Sequence, residues 1–307
     1  MSAPRSVSGP AETASGAATA SEGPWTIARV IAWASADLKA HGSRSPRLDA
    51  ELLLAQVLAC DRVRLVIDAQ RPLEPAELGA YRELHKRRRR GEPVAYLRGE
   101  REFYGRPFLV DRRVLVPRPE TEQLVEVALE RTRRLRLCAR VLDLCTGSGC
   151  VAITLAKERP TTRVWGSDVS PDALAVARAN ALRLGAQVGL CQANLYEGLE
   201  RLRGTLDLIT ANPPYIPAGE LGALPVDVRD FEPRSALDGG TDGLGIVRGV
   251  VAGAVEMLSP GGVLAVEVGA GQAAAVAELL ADAQLVAIET ARDYGGHERI
   301  VSAEHAG

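Results

Sequence analysis

The stretch Arg140-Val-Leu-Asp143-Leu-Cys145-Thr146-Gly147-Ser148-Gly149-Cys150-Val-Ala-Ile153 reads as an apolar run, a glycine turn and the opening of a helix. A near-continuous apolar run is the pattern of a strand buried on both faces, and the turn after it is where an α/β sheet binds adenosine-type ligands. Gly147 and Gly149 let backbone N–H groups approach such a ligand. Asp168, closing the next apolar run, is placed to accept hydrogen bonds from ribose hydroxyls. The spacing Gly-x-Gly-x-x-Ala also fits a dinucleotide fingerprint, so a nicotinamide-dependent dehydrogenase stands as a rival. Against it, Asp143 lies four residues before Gly147, where a carboxylate repels a pyrophosphate. The same carboxylate attracts the ammonium and sulfonium of S-adenosylmethionine.

Outward from this turn, strand and helix patterns alternate. The spacing predicts strands over 140–145, 163–168, 187–193, 206–211, 262–268, 285–290 and 299–302, and helices over 149–159, 171–184, 243–258 and 272–282. Such a chain forms a parallel α/β sheet covered on both faces. Upstream, Phe103-Tyr104, Pro107–Val110 and Val114–Val116 are short β-type runs parted by Gly105 and Asp111-Arg112-Arg113, as in a β-hairpin linker. Before them, Ile27, Val30, Ile31, Ala34 and Leu38, then Leu48, Leu52, Ala55 and Leu58, recur at helical spacing. Ser45-Pro46 reads as an N-cap with proline at the first helical position, and Gly91 and Pro93 end a helix that starts near Pro75. Residues 1–24, rich in Ala, Ser, Gly, Thr and Pro, lack the apolar core of a secretory signal and read as a disordered tail.

The chain has 307 residues and a formal charge of −2. No run reaches the roughly 18 uncharged apolar residues of a membrane helix; the best candidate, Ile246–Leu258, is broken by Arg248 and Glu256. Five cysteines (Cys60, Cys138, Cys145, Cys150, Cys191) form no CxxC pair and have no histidine at ligand spacing, which predicts a reduced, metal-free, cytoplasmic protein. Cys145 and Cys150 read as small loop fillers rather than a redox pair, and His85 and His297 as structural. Neutrality conceals an asymmetry: residues 25–120 carry an excess of six positive charges, residues 205–307 an excess of ten negative ones. The cluster Lys86-Arg87-Arg88-Arg89-Arg90 is either a solvated helix end, where cations suit the dipole, or a docking patch for an acidic or RNA-rich partner.

Leu208-Ile-Thr-Ala-Asn212-Pro213-Pro214-Tyr215 is an apolar strand that ends in a stiff loop. The two prolines have no N–H, so the loop presents carbonyl acceptors with few competing donors. A planar NH2 group can donate one hydrogen to Asn212 Oδ1 and the other to the Pro213 carbonyl, with Tyr215 packed on its π-system. Accepting both N–H bonds returns electron density to a poorly nucleophilic amide nitrogen. Positioning that nitrogen in line with a sulfonium methyl then supplies much of the rate, with no metal or strong base.

At these residues the chain resembles the bacterial protein-(glutamine-N5) methyltransferases of the PrmC/HemK family, which modify peptide chain release factors. The resemblance covers about residues 25–303. It includes Ser45-Pro-Arg-Leu-Asp-Ala-Glu51, Gly91-Glu-Pro-Val-Ala-Tyr-Leu97, Phe103-Tyr-Gly105, Pro117-Arg-Pro-Glu-Thr-Glu122, Asn212–Tyr215, Arg229-Asp-Phe-Glu-Pro-Arg-Ser-Ala-Leu237 and Arg292-Asp-Tyr-Gly-Gly-His-Glu-Arg299. It implies a helical domain over 25–98 that grips the release factor, a hairpin linker over 99–120 and a seven-stranded, Rossmann-like methyltransferase domain over 121–307. The implied reaction moves the methyl of S-adenosylmethionine to the side-chain nitrogen of the glutamine in the Gly-Gly-Gln motif of release factors 1 and 2, by a monomer, in translation termination. The resemblance assigns the cofactor to Asp143, Cys145, Thr146, Gly147, Ser148, Gly149, Asp168 and Asn212, the flanks of its adenine to Asn194 and Leu195, and the substrate glutamine to Asn212, Pro213, Pro214 and Tyr215. Pro117–Glu122 is implied near the active-site wall.

Two positions depart from the family pattern. Cys145 stands where the loop usually begins with glycine, and serves there if the position needs no positive φ. Asn194 replaces a common acidic residue. Two rivals share the acceptor tetrapeptide: DNA adenine-N6 methyltransferases, which call for a DNA-reading domain and oppose the acidic catalytic half, and a sister enzyme acting on a ribosomal protein. A silent cofactor-binding module would have lost the tetrapeptide, which is intact.

Overall fold

The Thr26 hydroxyl accepts the N–H of Arg29 and so starts α1 (Ile27–Ala40), whose Ile27, Val30, Ala34 and Leu38 are buried at the predicted spacing. The computed structural model describes residues 23–133, 138–293 and 295–306; the expected tail lies, but for its last two residues, outside them. Helix α2 (Pro46–Val57) begins with proline at its first position, yet Ser45 does not cap it. The Ser45 hydroxyl donates instead to Asp49 Oδ1 at 2.9 Å, joined by Ser43 on Oδ2 at 2.7 Å. Asp61 caps a short helix α3 (Arg62–Ile67), and Glu77 closes a capping box on Glu74 at the head of α4 (Pro75–Arg89). A further turn, α5 (Val94–Arg98), follows Pro93. These helices share a core of Leu53, Leu54, Tyr81 and Leu97 with α1.

Of the basic cluster only Arg88 is internal; Lys86, Arg87, Arg89 and Arg90 stay exposed at the end of α4. Arg88 is 10% exposed and donates to Asp49 Oδ2 at 2.8 Å; Arg87 makes two 2.8 Å bonds to buried Glu92; and Arg89 donates to His41 at 2.9 Å. The same arginines therefore hold α4 to α2 and to the turn after it.

A two-residue turn at Tyr104 (φ 50°) and Gly105 (φ 69°) joins β1 (Glu100–Phe103) and β2 (Arg106–Leu109), both turn residues left-handed as a tight hairpin requires. Val114–Val116, predicted as a third strand, is a buried loop instead; Tyr96 donates its hydroxyl to the Val114 carbonyl at 2.5 Å. Phe103 and Phe108 turn inward, edge to face, onto Leu124 and Val125 of α6 (Pro119–Arg131). That helix is absent from the sequence reading, though Pro119 at its start and Leu124, Val125 and Ala128 behind it carry its signature.

The main sheet comprises β3 (Arg140–Leu144), β4 (Arg163–Asp168), β5 (Val188–Gln192), β6 (Leu206–Ala211), β7 (Leu258–Glu267), β8 (Leu285–Arg292) and β9 (Glu298–His305) in the order β5-β4-β3-β6-β7-β9-β8. Helices α7 (Cys150–Glu158), α8 (Pro171–Leu184), a short α9 (Val226–Arg229), α10 (Gly245–Met257) and α11 (Ala273–Asp282) connect them. The first five strands in that order pair in parallel, but β9 is antiparallel to both β7 and β8, so the sheet is mixed rather than parallel throughout. The final hairpin inserts β9 beside β7, which no local pattern announces. Apolar residues fill both faces, Leu142, Leu144 and Val266 on one and Val141, Leu208 and Ala265 on the other. Among the described residues no helix is long and apolar enough to cross a membrane.

Replacing Arg88 by Ala strips buried Asp49 of its cation and is expected to cost about 2–4 kcal/mol in denaturant unfolding, whereas Lys86→Ala stays within about 0.5 kcal/mol. Equal effects from the two would contradict the internal role of Arg88.

Candidate active site

The parallel register sets Asp143 of β3 opposite Thr210 of β6, with side chains on the same face. Asp143 is 1% exposed, and its carboxylate accepts the Thr210 hydroxyl at 2.7 Å and the Thr146 hydroxyl at 2.6 Å. Burial pushes Asp143 up to about 7 against the pull of these two hydroxyls, and the charge of Asp168 adds to the rise.

At the carboxyl end of β4, Asp168 Oδ2 accepts the Gly147 N–H and Oδ1 the Ser170 N–H, both at 2.9 Å. The Gly149 N–H goes to the Thr146 carbonyl at 2.8 Å. Both loop glycines therefore have their N–H groups engaged, Gly147 by Asp168 and Gly149 within the loop, and what they contribute is shape. Gly149 (φ 80°) opens α7, and a Cβ there would meet Ile153 Cδ1 at 2.9 Å and Ala177 Cβ at 3.2 Å. Asp168 keeps further lone pairs for another donor. Burial raises its pKa.

Cys145 adopts φ 54°, so the condition that this position needs no positive φ is not met. A non-glycine residue held left-handed costs roughly 1–2 kcal/mol. Leu195 takes the same φ of 54° beside the same cleft. Burial and the nearby aspartates raise the Cys145 thiol, and Cys150 is pushed up to about 12, so both are poor thiolates, as loop fillers should be.

The cleft at the strand ends is lined by Asp143, Cys145, Thr146, Gly147, Ser148, Asp168, Asn194, Leu195, Asn212 and Pro214 among others. Gly149, Pro213 and Tyr215 lie outside its lining: Gly149 under the loop, Pro213 buried, and Tyr215 held by its carbonyl, which accepts Gln272 Nε2 at 3.0 Å. Asn194 donates to Glu197 at 3.2 Å. Asn212 donates Nδ2–H to the Thr121 hydroxyl at 3.1 Å, leaving Oδ1 as its acceptor. Arg118, just before α6, reaches across to buried Glu232 at 2.6 Å and joins the roof of the cleft to its wall. Burial pushes Glu232 up to about 7 despite that arginine.

Sequence reasoning gave no individual role to Thr121, Thr210, Arg118 or Glu232. All four stand in stretches quoted above, but the role of Thr210 is recognisable only once the strand register is known. His85 is buried against Trp33 with ring centroids 4.8 Å apart, in keeping with a structural role.

Comparison with known proteins places this geometry. The methyltransferase small domain model matches residues 121–222, and the PrmC N-terminal domain model residues 29–99. The catalytic domain of hMettl16, solved in complex with MAT2A 3'UTR hairpin 6, superposes with a TM-score of 0.56 over 73% of this chain and 83% of its own, at 13% identity; that likeness concerns the fold alone. Fold and small-domain match define a methyltransferase. The chain is 46% identical to the release factor glutamine methyltransferase of Geobacter sulfurreducens over 277 residues, 90% of this chain and 96% of that one. It is 42% identical to that of Rhodopirellula baltica over 297 residues, 94% and 100% of the two. The chain belongs to the release factor glutamine methyltransferase family.

Two outcomes follow from the site. The folded chain holds a proton on Asp143 between its ordinary value of 3.8 and about 7, where the unfolded chain has released it. That contribution to stability is complete below about pH 4 and lost as pH rises through 7. The thermal midpoint of Asp143→Asn relative to wild type should therefore climb from pH 5 to 8; a flat difference contradicts the shift. At position 145, glycine should leave the site intact, while the β-branched Cys145→Val should lower the thermal midpoint by about 4 °C or more. Equal stability of the two variants contradicts the left-handed backbone.

Proposed function

We propose that this chain transfers a methyl group from S-adenosylmethionine to the side-chain amide nitrogen of the glutamine in the Gly-Gly-Gln motif of release factors 1 and 2. The observation that carries the reading is Asn212, whose amide donates to Thr121 and keeps Oδ1 for a substrate N–H at the edge of the cleft. S-adenosylmethionine, when bound, supplies a methyl on a positively charged sulfur that leaves as a neutral thioether.

The residues present fit that group. Asp168 has acceptor capacity left for a ribose edge, and the buried Asp143 gives the cleft negative potential facing a cation, which in turn favours the ionised carboxylate. Asn194 and Leu195 bound the side of the cleft assigned to the adenine.

The chain's own work is positional. Asn212 Oδ1 and the Pro213 carbonyl accept the two amide hydrogens and fix the plane of the substrate amide, with its nitrogen facing the methyl. As the new N–C bond forms, the amide nitrogen loses one proton to solvent, so no strong base is required. Pro214 closes the flank. We assign the helices over 25–98 to gripping the release factor, the segment 99–120 to linking them, and 121–307 to catalysis; release factors place this work in the cytoplasm.

Asn212→Ala should lower turnover about 100-fold or more with cofactor affinity within about threefold of wild type, because it removes an acceptor used in the reacting geometry. Asp168→Ala should weaken the cofactor by about tenfold or more. Steady-state methylation kinetics and calorimetric cofactor binding check both; near-normal turnover in the first variant contradicts the role of Asn212.

A further inference from the structure

The two ends of an asparagine amide have nearly the same size and shape, so packing alone does not decide which faces a substrate. Only the chemistry of its partners does. At Asn212 that partner is the Thr121 hydroxyl, at 3.1 Å from Nδ2. Thr121 is 2% exposed at the start of α6, and its hydroxyl favours the charged carboxylate of Glu267, the last residue of β7, itself 2% exposed.

We propose that Thr121 and Glu267 are positioning residues that fix the orientation of the Asn212 amide, and so its choice of an NH2 group as ligand. The proposal rests on the reading of Asn212 as the acceptor for the substrate amide. A carboxylate only accepts, so the single hydroxyl hydrogen of Thr121 points to Glu267. The lone pairs of that hydroxyl then face Asn212 and demand Nδ2–H, which turns Oδ1 outward. With the amide reversed, Nδ2–H would face the N–H of the substrate, donor against donor. The role resembles that of a carboxylate that fixes the orientation of a metal-bound histidine through its second nitrogen.

Two features support this. Glu267 Oε2 is buried with no hydrogen-bond partner among the described residues, a costly state that proteins seldom retain without use. Arg299 on β9 and Arg118 before α6 face Glu267 and favour its charged form, while burial and Glu120 oppose that form and set it near 7. Above that pH it is the obligate acceptor the chain of bonds requires.

The test compares Thr121→Val, which keeps the volume and removes the hydroxyl, with Thr121→Ser, which keeps the hydroxyl and removes the methyl. Both are assayed at pH 8 with purified release factor, beside Asn212→Ala. The expected result is a fall in kcat of about tenfold or more for Thr121→Val, with cofactor Kd unchanged within about twofold, and recovery to within about threefold of wild type in Thr121→Ser. Glu267→Gln, whose amide can donate to Thr121 and reverse the chain, should lower kcat several-fold alone and add nothing in the Thr121→Val background. Wild-type kcat in Thr121→Val or Glu267→Gln, or equal losses in the valine and serine variants, overturns the positioning role while an inactive Asn212→Ala leaves the site reading intact. An active Asn212→Ala defeats the site reading itself.

Discussion

A carboxylate buried inside a parallel sheet needs donors, and Asp143 finds them on both sides: Thr146 in the loop that leaves its own strand and Thr210 on the neighbouring strand. These two bonds tie the glycine loop to the strand that leads into Asn212, so both sides of the cleft are held together. Removing either hydroxyl would leave an unsatisfied charge in the core, so the loop geometry is fixed by desolvation as much as by glycine. The strain at Cys145 is tolerated because the surrounding bonds over-determine the loop.

Asn180 makes the corresponding link to the hairpin. Fully buried on α8, it accepts the Leu109 N–H at 2.7 Å and donates to the carbonyls of Leu109 at 3.0 Å and Ser148 at 2.9 Å. The hairpin is thus bonded directly to the backbone of the glycine loop. Tyr104 N–H to Glu122 at 2.7 Å and the phenylalanine pair on α6 complete the attachment. The segment between the helical part and the sheet is therefore bonded at several points to the sheet and its helices.

Much of this was legible in the residues. The strand and turn around Asp143, the acidic residue ending β4 and the proline-stiffened tetrapeptide each have a local chemistry that the structure realises at one end of one sheet. What the sequence hid was tertiary. Whether Cys145 is left-handed depends on bonds to Asp168 and Ser167 that lie more than twenty residues away. Arg88 looks like one more member of a surface patch until Asp49 is folded against α4. Thr210 and Thr121 are ordinary threonines until strand register and helix docking bring them to Asp143 and Asn212. The antiparallel entry of β9 has no local signal, since a strand between two others reads the same in either direction.

The central claim is that this cleft delivers a methyl group to one amide nitrogen of a release factor. Its most direct measurement is peptide mass analysis of purified release factor after incubation with the protein and S-adenosylmethionine, with fragmentation to place any added group. The account predicts one methyl on the side-chain nitrogen of the Gly-Gly-Gln glutamine and none elsewhere. An unmodified glutamine under conditions where cofactor binding is verified, or a methyl at another residue, would contradict it.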